Sequence, residues 1–183
     1  MARIAILGWG SLIWDPGELA IASRWHADGP CLPIEFARKS GGMRVTLVIV
    51  PRYEHLSRTY WALSAFGDVG AAAQNLRERE GCPSLKPIHA ADGETWRSVG
   101  DGKKPDDRVG LTISEWVSGR DDVDVAIWTG LTPKIFKPSS QRVSLENQVV
   151  NFLRSLDPAY EQAAREYVEK APASIDTPVR QAI

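Results

Sequence analysis

The stretch "AILGWGSLIWDPG", residues 5–17, joins an apolar run to two glycines separated by a tryptophan, then to large side chains and a turn at Asp15-Pro16-Gly17. The run from Arg3 to Trp9 reads as a buried strand that ends at Gly8. Small residues at a strand end mean that the backbone bends sharply there or that another group comes close to it. The stretch begins like a dinucleotide-binding fingerprint, but Ile13 stands where the third glycine belongs and no helical pattern follows, so nicotinamide or flavin binding is not expected.

Outward from this point the chain reads as strands with one embedded helix, then helices. "LPIEFARK" at 32–39 alternates, with Leu32, Ile34 and Phe36 on one face and Glu35 and Ala37 on the other; after Gly41-Gly42 comes "MRVTLVIV" at 43–50, giving a hairpin. "TYWALSAF" at 59–66 is a further strand. "DVGAAAQNLREREG" is a helix over 69–80, capped by Asp68 and stopped by Gly81. Short strands are expected near 86–90, 94–99, 109–117 and 123–130, with 98–110 as a mobile surface loop rich in Gly, Asp, Lys and Pro. The last forty residues carry helix starts at Ser144, at Asp157-Pro158 and at Thr177-Pro178. This order predicts an α+β fold rather than alternating βαβ units. At 183 residues, a single domain over 1–183 is expected, with no repeat or linker.

Bulk composition excludes several classes. With 22 basic and 23 acidic residues the net charge is −1, which offers no general attraction to nucleic acid or anionic membranes. No apolar run reaches the roughly 18 residues of a membrane span. The N-terminus has one arginine and an apolar stretch that breaks at Gly8, so no signal peptide is read and a cytoplasmic location is expected. Cys31 and Cys82 read as free thiols without neighbouring ligands, and His26, His55 and His89 share no metal spacing, so no metal is expected. Those histidines read as surface or satisfied residues. Seven tryptophans suit a core or a pocket wall, and for Trp9 and Trp14 both readings stand.

Glu80 is the candidate for chemistry. Val69, Ala72, Ala73 and Leu76 fall at helical spacing, and Glu80 follows Leu76 by one more turn, on the apolar face. Desolvation and the negative end of the helix dipole both raise the pKa of a carboxyl there, as acid–base work near neutrality requires. Against this, a last-turn glutamate before glycine often faces water, and Arg79 beside it lowers the pKa.

Two segments together resemble the γ-glutamylcyclotransferase-like superfamily. "LGWGSLIWDPG" is similar to its G-Y-G-S-L/N signature, and "NLREREGC" looks like its segment in which a Glu before Gly is the catalytic acid/base; "FARKS" is weakly similar to a region of the ChaC-type branch. The resemblance implies a small mixed β-barrel with flanking helices over about 1–130 and a helical C-terminal segment over about 131–183. It implies cyclisation of a γ-glutamyl amine or peptide to 5-oxoproline with release of the amine. Glu80 would be catalytic; Trp9, Gly10, Ser11 and Leu12 would bind substrate, with the turn's N–H groups holding a carboxylate or the developing oxyanion. Arg38 could supply a cation for a substrate carboxylate, or be a strand-end arginine. Trp9 replaces the usual tyrosine, and Pro33-Ile34-Glu35 replaces the arginine-rich approach to Phe36, which argues against glutathione as the substrate. No cofactor is implied. The competing class is a non-catalytic small-molecule binding or interaction domain on the same fold.

Overall fold

The computed structural model describes residues 1–41, 44–134 and 144–183. The fold is α+β. Its elements in chain order are strands β1 (Ile4–Gly8), β2 (Cys31–Leu32), β3 (Ile34–Lys39), β4 (Val45–Ile49), β5 (Ser57–Arg58) and β6 (Tyr60–Leu63), helix α1 (Val69–Arg79), strands β7 (Ile88–Ala91) and β8 (Trp96–Ser98), helix α2 (Asp107–Ser118), strand β9 (Val125–Thr129), and helices α3 (Leu145–Arg154), α4 (Pro158–Glu169) and α5 (Pro178–Ala182). The chain divides into two compact units, residues 1–32 with 58–130, and residues 33–57 with 131–183.

The first unit is built on a five-stranded sheet in the order β6-β1-β9-β7-β8. β1 and β9 are parallel, pairing Ile4 with Val125, Ala5 with Ala126 and Ile6 with Ile127; β1–β6, β7–β9 and β7–β8 are antiparallel. Beyond β6 the chain adds the antiparallel bridges Ile21–Ser64 and His26–Trp61, and no closure into a barrel is found among the described residues. One face carries Ile4, Ile6, Ile88, Ala90 and Ile127, and Ala72, Ala73 and Leu76 of α1 pack on it. The caps of α1 are those its sequence announces. Asp68 accepts from the Ala71 N–H at 2.9 Å. At the other end Gly81 has φ +61°, with Gly81 N–H donating to Glu78 O and Cys82 N–H to Arg77 O, both at 3.0 Å. That is the paired bonding of a left-handed glycine stop.

Residues 109–117 are helical, not a strand. Val109, Thr112, Ile113 and Val117 are β-branched and favour strands locally. Their spacing decides the matter: Val109, Ile113 and Val117 recur every four residues and are buried together, and Asp106 caps the start by accepting from Arg108 N–H. The expected mobile loop is also partly corrected. The Val99 N–H donates to Ile88 O at 2.8 Å and Ser98 Oγ to Lys86 O at 2.9 Å, so the start of 98–110 is stapled to the preceding chain.

Gly110 of α2 faces the ring of Trp96, which occupies the space a Cβ would need. In a free helix Gly→Ala gains roughly 1 kcal/mol. Here the sign reverses: Gly110→Ala is expected to destabilise by roughly 1–3 kcal/mol, the usual cost of overpacking, as read by urea unfolding.

In the second unit β3 and β4 form the expected hairpin, pairing Ile34 with Ile49, Glu35 with Val48 and Phe36 with Leu47, with a bulge between Phe36 and Arg38. Pro33 separates β2 from β3, so the strand read over 32–39 is broken at its second residue. α3 and α5 pack on β3, and α4 on β4. Ser144 and Thr177 cap α3 and α5 through their side chains; Asp157 stands at the α4 N-cap, with Pro158 in the first turn, but makes no side-chain cap bond.

Both faces of β3 are covered. Ile34, Glu35, Phe36 and Ala37 are all completely buried. The Glu35 carboxylate accepts from its neighbour Phe36 N–H at 2.7 Å and from Val179 N–H at 3.2 Å. Thr177 also hydrogen-bonds to it. Tyr53 Oη lies 3.4 Å from Glu35 Oε2 and donates to Glu146. Burial pushes the Glu35 carboxyl up despite these donors. Glu35 is therefore an internal clamp on the C-terminal helix.

Candidate active site

The parallel β1–β9 pair and α1 together form the candidate site. The start of α1 lies at the first end of β1, where the Ala2 N–H reaches Gly67 O at 3.3 Å. Its last turn therefore reaches the opposite end, where β1 gives way to the Trp9–Leu12 turn. Arg79 makes that junction. Its Nε donates to Pro16 O at 2.8 Å, and its Nη2 donates to Asp15 O and lies 3.5 Å from Ser11 Oγ. Its Nη1 lies 3.8 Å from Glu80 Oε1. Glu80 and Ser11 thus flank a single guanidinium.

Glu80 is the C-cap residue of α1, and its side chain is only 20% exposed. Burial raises its pKa above the usual glutamate range, and the Arg79 charge pulls the other way. Burial is the larger of the two effects, and the Arg79 contact is long at 3.8 Å.

The turn itself is wound so that Ile13 N–H donates to Gly10 O at 3.0 Å and Asp15 N–H to Ser11 O at 2.8 Å. The N–H groups of Gly10, Ser11 and Leu12 have no acceptor among the described residues. Gly10 and Ser11 are half-buried, whereas Trp9 and Leu12 are buried, Leu12 within the core beneath α1. The small residue at Gly8 has a direct cause: a Cβ there would lie 2.8 Å from the Trp25 ring. Gly8 thus answers to packing under Trp25.

Arg38 belongs to the second unit, where its Nη1 donates to Thr132 O at 2.9 Å. Glu35, part of the stretch that replaces the arginine-rich approach to Phe36, is closed inside that unit. His26 stacks on Trp61 at 4.5 Å, and His55 Nε2 lies 2.7 Å from Asp176 O. His89 departs from the expectation of a surface or satisfied histidine. It is buried beside Trp128, its Nδ1 has no partner among the described residues, and burial lowers its pKa to about 4, so the ring is neutral.

Sequence reading does not find Arg79 as the residue that ties Glu80 to the turn. Its signal is only adjacency to Glu80, which suggested a counter-charge. Comparison with family models, with curated proteins and with solved structures yields no match to this chain.

Proposed function

We propose that this chain is a γ-glutamylcyclotransferase-like enzyme that cyclises a γ-glutamyl amine or peptide to 5-oxoproline and releases the amine. The observation that carries the reading is that Arg79 joins one desolvated carboxyl, Glu80, to the turn whose Gly10, Ser11 and Leu12 N–H groups have no acceptor among the described residues. The small mixed β-barrel, a small-molecule γ-glutamyl substrate and a cytoplasmic setting belong to the same proposal.

The chemistry balances without water. The substrate's own neutral α-amine attacks its γ-carbonyl carbon, forming the ring C–N bond. Glu80, as carboxylate, takes a proton from the attacking nitrogen. The turn's N–H groups hold the oxyanion that develops on the carbonyl oxygen. Glu80 then returns the proton to the departing nitrogen as the original amide C–N bond breaks. Because attack is intramolecular, much of the barrier is removed by holding the chain folded. A pKa raised by burial makes Glu80 a stronger base for the amine proton.

The test is product analysis on a panel of γ-glutamyl amines, γ-glutamyl dipeptides and glutathione. Equal yields of 5-oxoproline and free amine are expected from at least one member. Glutamate in place of 5-oxoproline indicates attack by water and overturns the cyclisation; no product from any member overturns the enzymatic reading.

A further inference from the structure

Thr129, the last residue of β9, is 7% exposed, and its Oγ1 is buried with no hydrogen-bond partner among the described residues. A hydroxyl left so in a packed core carries a desolvation cost with nothing to offset it, and native proteins retain few of them. Its position is informative. The β1–β9 register pairs Ile6 with Ile127, and carried on by two residues it sets Thr129 beside Gly8. Thr129 also pairs with Ile88 across β7. Side chains alternate along a strand, so Thr129 shares the face of Ile127, which packs under α1.

The unpartnered hydroxyl therefore stands on the α1 face, at the strand end where β1 enters the Trp9–Leu12 turn and where the last turn of α1 delivers Glu80. Trp25 covers Gly8 from the same side and walls this end with a ring. The half-buried Gly10 and Ser11 leave the turn as its approachable edge.

Resting on the function proposed above, we infer that Thr129 is a substrate-binding residue whose hydroxyl hydrogen-bonds an oxygen of the γ-glutamyl group and so helps select a ligand rich in acceptor oxygens. A hydroxyl both donates and accepts, so it serves either a carboxylate or the amide carbonyl. With the three turn N–H groups it makes the site rich in donors around one acid. That set suits a substrate bearing an anionic carboxylate and an amide, and gives no purchase to a purely apolar one.

Thr129→Val keeps the shape and removes the hydroxyl; Thr129→Ser keeps the hydroxyl. Wild type, both variants and Glu80→Gln are compared by thermal unfolding, by calorimetric binding of 5-oxoproline, and by kcat/KM on the best panel substrate. Thr129→Val is expected to unfold at the wild-type temperature or above it. It should lose roughly ten- to a hundredfold in 5-oxoproline affinity and in kcat/KM, the value of one hydrogen bond to a charged group. Thr129→Ser should recover most of the loss, and Glu80→Gln should still bind 5-oxoproline. Undiminished binding and turnover by Thr129→Val overturn the assignment of Thr129 and leave Glu80 untouched. Binding by wild type without turnover overturns the enzymatic reading, and the Val and Ser variants still decide Thr129 by affinity. Absence of both binding and turnover in wild type overturns the two together.

Discussion

Glu80→Gln is expected to lower 5-oxoproline release by roughly 10²- to 10⁴-fold, the contribution of a positioned general acid–base, while the protein unfolds at the same temperature or slightly higher. The two halves have one cause. Burial penalises the charged carboxylate, so its pKa is raised in the folded chain. A neutral amide of the same shape removes that penalty and with it the proton carrier. The contact with Arg79 is long at 3.8 Å, and a partly exposed pair of that kind contributes little to stability. The pH dependence follows in sign. Glu80 acts as base when ionised, so wild-type kcat/KM rises with pH through a limb above the usual glutamate range, and Glu80→Gln lacks that limb. For stability the sense is opposite: a carboxyl whose folded pKa is raised weakens the fold as pH climbs from the ordinary glutamate range through its folded value.

Glu35→Ala is expected to give the largest loss of stability, on the order of 2–6 kcal/mol, because the buried Phe36 and Val179 N–H groups each lose their acceptor at about 1–3 kcal/mol. Glu35→Gln keeps a carbonyl oxygen and should cost less. The pair also separates a pH effect. Glu35 too is raised by burial, so wild type should lose stability relative to Glu35→Gln as pH rises above the usual glutamate range. Urea denaturation of both proteins from pH 4 to pH 9 reads this difference, to which Glu80 contributes equally on both sides. A flat difference across that range removes the clamp's titration from the account.

Local signals made α1 legible. Asp68, Gly81 and the Ala72–Leu76 stripe lie close together in the sequence, and Glu80 follows from their phase. The hairpin of β3 and β4 is legible for the same reason. Residues 109–117 are not, because β-branched composition and four-residue spacing point in opposite directions, and packing of Val109, Ile113 and Val117 resolves them. The Glu35 clamp depends on Val179, 144 residues away, and alternation alone leaves Glu35 on a solvent face. Thr129 is equally hidden. Its meaning rests on parallel pairing between β1 and β9, with most of the chain between them, and on continuing that register two residues past the Ile6–Ile127 pair. The turn donors and the tie through Arg79 needed the backbone path from Gly10 to Pro16.

The most direct test of the central claim is 5-oxoproline release by wild type and Glu80→Gln, side by side, on the best γ-glutamyl substrate across a pH series. The account predicts release by wild type with an acid limb above the usual glutamate range, and a rate at least a hundredfold lower and without that limb in Glu80→Gln. A Glu80→Gln protein that cyclises at the wild-type rate contradicts it.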